Sequence, residues 1–270
     1  MKPQTLRVGL AGLGAIGMAL ARRLHAGIPG LSLAAAAARD NAAARSRLAA
    51  AGIPVRTVPA AALAETCDVV VECAPAAAFR GIVVPVIDAG RTLLILSAGA
   101  LLDHEDLIAR AQQRGARIVV PTGALLGLDA VRAAAEGNIA SVRLVSRKPP
   151  SGLLGAPYLE ARGITLSGLE TATRLFEGSA REAVRGFPAN VNVSAALALA
   201  GIGPDLTRVE IWADPGITRN VHRIEVEADS ARFSMTIENV PSENPRTGRI
   251  TALSAIACLR GLVSTLRVGT

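Results

Sequence analysis

Apolar runs and helix-spaced apolar positions alternate down the first part of the chain. Residues 6–11 are apolar except for Arg7, which predicts a buried strand. Met18, Leu20, Ala21 and Leu24 then share one face of a helix expected over residues 15–27. The alternation repeats. A small-residue strand is expected at 31–38, a helix at 42–51 behind Asp40, and a short strand at 55–58 before a short helix. Residues 68–75 read as a central parallel strand, nearly all apolar, running into a small-residue loop at Ala74 and Pro75. A helix at 76–89, a strand at 92–96, a loop at 97–100, a helix capped by Asp103 and a strand at 117–120 stopped by Pro121 follow. This order predicts an α/β domain over residues 1–122 with a doubly wound parallel sheet.

Past Pro121 the texture changes. A helix is expected at 127–136. Residues 139–147 alternate, with Val142, Leu144 and Ser146 set against Arg143, Val145 and Arg147, as in a sheet with one solvated face. After a Pro- and Gly-rich connector at 148–157, helices are expected at 179–185 and 190–199. The first has Ser179 as cap and Glu182 at the capping-box position. Alternating runs at 208–213, 221–228 and 232–238 predict an antiparallel meander. A last helix is expected at 250–266. The second domain, residues 123–245, is therefore α+β with a mostly antiparallel sheet. The C-terminal segment, about 246–270, is expected to return to the first domain.

Composition narrows the function. Half of the 270 residues are apolar, but only four Phe, one Trp and one Tyr are aromatic, so Ala, Leu, Val and Ile must pack the core. The net charge is +7, carried by arginines scattered along the chain, with only Lys2 and Lys148 as lysines. No basic run and few base-stacking aromatics speak against nucleic acid. Cys67, Cys73 and Cys258 show neither a CxxC spacing nor a partnering histidine, so reduced structural thiols in a cytoplasmic protein are expected, without a metal. No signal segment and no apolar run of membrane-spanning length is visible.

Between the first strand and helix lies Gly12-Leu13-Gly14-Ala15-Ile16-Gly17, a dinucleotide fingerprint in its required strand–turn–helix setting. Gly12 permits the tight turn, Gly14 lets backbone approach a pyrophosphate, and Gly17 lets the helix pack closely. Unpaired amides of the first helical turn, from Ala15 and Ile16 on, then face the phosphates. The first domain is thus a Rossmann domain, with Ala74 at a strand end that borders the nucleotide. Arg39 and Asp40 occupy the position that selects the cofactor. An acid there holds a ribose 2′-hydroxyl and an arginine accepts a 2′-phosphate, so NAD and NADP both remain open.

Acid–base candidates are few, since the chain has three histidines. His25 and His104 read as surface residues. His222 follows a polar loop, 214–220, between two strands; a satisfied sheet histidine and a proton-transfer group both fit there. Asn190 fits either a helix cap or a partner for a nicotinamide carboxamide.

Longer motifs point to a family. Residues 121–124 (Pro-Thr-Gly-Ala), Gly127-Leu128-Asp129, Lys148-Pro149-Pro150, and 176–183 leading to Phe187-Pro188-Ala189-Asn190-Val191-Asn192 fit one pattern. So do Asp214-Pro215, Asn220-Val221-His222 and Pro241-Ser242-Glu243-Asn244-Pro245. Together they resemble the L-aspartate dehydrogenases across essentially the whole chain. The resemblance implies NAD(P)-dependent interconversion of L-aspartate with oxaloacetate and ammonia through iminoaspartate, in the service of NAD biosynthesis, aspartate catabolism or oxaloacetate amination. It also implies His222 as the acid–base residue, with Ala124 and Asn190 at the cofactor. Gly248 departs from the family, which more often has Ser there. A dicarboxylate needs cationic or amide donors, and Lys148, Arg219, Asn220 and Arg246 are the candidates. A homodimer through the second sheet is expected. Homoserine-dehydrogenase-like and dihydrodipicolinate-reductase-like enzymes share the fingerprint and form the alternative, as does a non-catalytic dinucleotide sensor.

Overall fold

The computed structural model describes residues 5–188, 191–242 and 248–269. The chain divides into two units, residues 1–121 with 252–267, and residues 122–251 with 268–270.

In unit one, strands β1 (Leu6–Ala11), β2 (Leu31–Ala37), β3 (Val69–Glu72), β4 (Thr92–Ile95) and β5 (Arg117–Val119) form one parallel sheet in the order β2-β1-β3-β4-β5. Helices α1 (Ala15–His25), α2 (Asn41–Ala50), α3 (Leu63–Thr66), α4 (Phe79–Asp88), α5 (Ala98–Leu102) and α6 (Asp106–Arg114) connect them. Both faces are apolar, because alternate residues of one strand enter different cores. Val69 and Val71 pack with Leu20, Leu24, Ala255 and Leu259. Val70 joins Phe79, Val83, Leu93 and Leu107 on the other side. The winding reverses between β1 and β3, and ligands bind at the strand ends beside such a reversal.

The strand expected at 55–58 shrinks to one parallel bridge between Thr57 and Ala36. Pro54 and Pro59 flank it and supply no N–H, which ends the ladder on either side. Counted with that bridge, the sheet has the six-position order of a dinucleotide fold. The loop expected at 97–100 is instead the start of α5, because Leu101 and Leu102 are buried and alanines extend the turn. Asp103 therefore ends α5 rather than starting the next helix, whose N-cap is Glu105.

Unit two holds β6 (Ile139–Lys148), β7 (Thr173–Ser179), β8 (Arg208–Ala213), β9 (Asn220–Ala228) and β10 (Arg232–Asn239), in the order β10-β9-β6-β8-β7. Only β6 and β8 run parallel; the other neighbours are antiparallel. The expected meander is thus corrected. β9 and β10 form a hairpin, but β6 lies between β8 and β9, and it is the strand whose buried face carries Val142 and Leu144. β7 was not expected from the sequence; Gly178 and a bulge between Arg174 and Phe176 break its alternation. Helices α7 (Leu128–Ala134), α8 (Pro157–Glu160), α9 (Ala180–Gly186) and α10 (Asn192–Ala200) complete the unit. The capping box of Ser179 and Glu182 opens α9 as its spacing predicts. Tyr158, Phe176 and Phe187 pack ring to ring, concentrating half of the chain's few aromatics in one place. Helix α11 (Ile250–Val263) contributes Ala255 and Leu259 to the core of unit one.

Candidate active site

The turn after β1 is shaped by what its glycines exclude. Gly12 sits at φ +104°, and a Cβ there would press on the carbonyl of Cys73. A Cβ on Gly17 would collide with the Gly12 carbonyl oxygen, so helix and turn meet without room for a methyl group. Gly14, the N-cap of α1, is different: a Cβ built there meets nothing within 4 Å. Packing demands the outer two glycines and leaves the middle one facing open space at a helix N-terminus. That is the cradle a pyrophosphate needs, with the first amides of α1, at Ala15 and Ile16, unpaired by the helix itself. These residues fit a dinucleotide.

Side chains around the turn hold it in shape. The Cys73 thiol donates to the Gly12 carbonyl at 3.1 Å, and burial pushes its pKa up, so it stays protonated. The Arg47 guanidinium donates to the Leu13 carbonyl at 3.0 Å. Glu72, fully buried at the end of β3, accepts from the Ala74 amide at 2.9 Å, the Ser97 amide at 3.0 Å and the Ser97 hydroxyl at 3.1 Å. One carboxylate thereby ties together the loops that follow β3 and β4. Burial raises its pKa against the pull of those donors. At the end of β2, one Asp40 oxygen caps α2, accepting from the Ala42 and Ala43 amides, which lower its pKa. Its neighbour Arg39 is exposed.

Unit two builds a buried polar row. Ser146 and His222 are paired in register on β6 and β9, and Ser146 Oγ lies 2.8 Å from His222 Nδ1. Both are almost wholly buried, at 1% and 2% exposure, as are Lys148 and Asn220 at 3% each. Two-residue periodicity puts Ser146 with Lys148, and Asn220 with His222, on the helix-covered face. Burial and the charge of Lys148 lower the His222 pKa to about 3, so the imidazole is neutral. Asn239, in register with Asn220, donates to the Ala124 carbonyl at 2.9 Å and so fixes that loop to the same sheet end. Gly248 makes room for it: a Cβ there would lie 2.9 Å from the Asn239 Cβ. Arg219 does not join the row; it is exposed beside Glu238 at 3.8 Å. Asn190 and Arg246 lie outside the described residues. Among the described residues, no group of His, Cys, Asp and Glu gathers at metal-binding range.

Two contributors were not singled out from the sequence. Glu72 carried a signal, an acid ending an otherwise apolar strand. Ser146 carried none, since its importance lies in a partner 76 residues away. Asn239 heads the polar stretch 239–247, a candidate from the sequence, but its partner 115 residues away does not show there.

A parallel sheet with a glycine turn at its winding reversal, and a second unit holding a neutral buried histidine beside a lysine, define an NAD(P)-dependent oxidoreductase. Comparison with known proteins gives the family. Residues 12–121 match the NAD binding domain described for homoserine dehydrogenase, and residues 129–262 match the family described as aspartate dehydrogenase, C-terminal. The L-aspartate dehydrogenase of Bradyrhizobium diazoefficiens is 56% identical over 98% of this chain and 94% of its own. L-aspartate dehydrogenase 3 of Bordetella bronchiseptica is 54% identical over 99% and 98%. The crystal structure of aspartate dehydrogenase from Thermotoga maritima superposes with a TM-score of 0.73 at 26% identity, covering 98% of this chain and 99% of that one. The chain belongs to the L-aspartate dehydrogenase family.

Among the described residues, no helix is long and apolar enough to cross a membrane.

Proposed function

We propose that this chain interconverts L-aspartate with oxaloacetate and ammonia, through iminoaspartate, using NAD or NADP. The observation that carries the reading is the Ser146–His222–Lys148–Asn220 row, a proton-handling group set beside a buried cation, in a chain 56% identical to a named L-aspartate dehydrogenase. The nicotinamide ring, when bound, supplies the hydride acceptor or donor. Gly12, Gly14, Ala15, Ile16 and Gly17 hold the pyrophosphate, and Ala74, Ala124 and Asn190 border the rest of the cofactor. Arg39 is free of the capping that occupies Asp40, which supports acceptance of a 2′-phosphate.

His222 manages the protons of the carbinolamine and imine stages through its ring nitrogens. Lys148 and Asn220 hold a substrate carboxylate. A carboxylate beside Lys148 offsets the charge that helps hold the His222 pKa down, so substrate binding raises the proton affinity of the ring. Arg219 and Arg246 are the remaining candidates for the second carboxylate. Unit two carries substrate and catalysis, and its helix-free sheet face, where Trp212 lies under Arg147, supports pairing into a homodimer. The reading places the protein in the cytoplasm, in keeping with its free cysteines.

The test is oxidation of NADH and of NADPH with oxaloacetate, with and without ammonium. Ammonium-dependent oxidation is expected, at a rate that falls sharply when oxaloacetate is replaced by other keto acids. Oxidation indifferent to ammonium, or turnover only with aspartate semialdehyde, would move the chain to the homoserine-dehydrogenase-like alternative.

A further inference from the structure

We propose that Ser146 is a positioning residue that sets the tautomer of His222, donating its hydroxyl proton to Nδ1 so that the neutral ring rests with its own proton on Nε2. The inference deepens the function proposed above and rests on it only for its kinetic consequence. Ser146 Oγ and His222 Nδ1 are 2.8 Å apart, and register pairing across β6 and β9 leaves neither residue room to drift. A hydroxyl carries one proton, and among the described residues His222 is the only partner of the Ser146 hydroxyl. Were Nδ1 to donate instead, the serine proton would be a buried donor without an acceptor. With serine as the donor its oxygen keeps only unfilled lone pairs, and the ring proton falls on Nε2, which is not among the wholly buried side-chain atoms without a partner and so keeps an open side. The ring is neutral, so one nitrogen must carry its proton, and that nitrogen is then Nε2.

The consequence is chemical. His222 offers the substrate an N–H donor rather than a lone pair, suited to polarising the carbonyl oxygen of a 2-keto acid as an amine adds. A carboxylate in place of Ser146 would lock the opposite tautomer, because it can only accept. A hydroxyl also turns to accept from Nδ1–H whenever the ring gains a second proton, so the pair stays bonded in both charge states.

The chain has three histidines, which makes the test direct. Long-range proton–nitrogen NMR of the full chain, labelled at histidine, resolves three ring systems, with His222 assigned by its loss in His222→Gln. The expected His222 pattern has an unprotonated Nδ1 and a protonated Nε2. Ser146→Thr should preserve it, and Ser146→Ala should release the ring to a tautomer mixture. Ser146→Ala should also lose about tenfold in turnover, the scale of one hydrogen bond, with cofactor KM unchanged and Ser146→Thr retaining activity. A protonated Nδ1 in the wild-type protein overturns the proposal, as does a tautomer untouched by Ser146→Ala. If Ser146→Ala fails to fold, the wild-type and Ser146→Thr spectra still decide. The tautomer is read without substrate, so a chain that shows it but lacks ammonium-dependent turnover fails only the functional reading.

Discussion

At the turn after β1 the groups turned outward are backbone amides, and the side chains are mostly absent because the positions are glycine. In the row on β6 and β9 the backbone is engaged in the sheet, and every group available for chemistry is a side chain. The first site depends on excluded atoms: a methyl group on Gly17 meets the Gly12 carbonyl. The second depends on register, since a one-residue slip of β9 against β6 would carry His222 to the solvated face. A backbone site recognises a shape common to all dinucleotides. A side-chain site can be tuned to one substrate without disturbing the fold.

Substitutions should separate the two in graded steps. The largest effect is expected at His222. His222→Gln keeps a buried polar side chain, and steady-state turnover should fall by roughly 10²–10⁴-fold, the range for a lost acid–base group. Gly17→Ala comes next. Its Cβ has nowhere to go, so urea unfolding should show a loss of about 1–3 kcal/mol, confined to unit one. Glu72→Gln replaces an acceptor of three N–H or O–H donors by an amide with one oxygen. It should cost about 1–3 kcal/mol and loosen the loops at Ala74 and Ser97, measurable as faster amide exchange there.

A pair of opposed pH slopes completes the series. The His222 pKa is lowered from 6.5 to about 3 in the native state, so the unfolded chain binds the proton more readily. Its share of stability is complete above pH 6.5 and is lost as pH falls toward about 3. The Glu72 pKa is raised above 4.5, so the native state binds the proton more readily, and stability falls as pH rises from 4.5 through the raised value. Denaturant titrations should show His222→Gln flattening the first slope and Glu72→Gln the second.

The same contrast explains what the sequence disclosed. The glycine turn between β1 and α1 was legible because its signal is local: three glycines, a preceding apolar run and a following amphipathic helix within twenty residues. The capping box at Ser179 was legible for the same reason. The order of the second sheet was not, because alternation reveals that 139–147, 208–213 and 221–228 are strands but says nothing about which lie side by side. The loop expected at 97–100 failed because Ser, Ala and Gly suit a turn and a short helix alike, and burial of Leu101 and Leu102 decided between them. The short strand at 55–58 was half right, as the segment lies beside β2 but makes a single bridge. His222 stood out through its motif, whereas its partner Ser146 looked like any small residue on a half-buried strand.

The division of labour is tested most directly by measuring cofactor affinity and turnover together in Gly14→Ala and His222→Gln. Gly14 has open space around it, so Gly14→Ala should fold with unchanged stability, bind NAD(P)H more weakly, and regain much of its turnover at saturating cofactor. His222→Gln should bind the cofactor like the wild-type protein and stay slow at any concentration. Weakened cofactor binding in His222→Gln, with turnover restored at saturation, or unchanged binding in Gly14→Ala, would contradict the assignment of cofactor to the glycine turn and proton chemistry to the buried row.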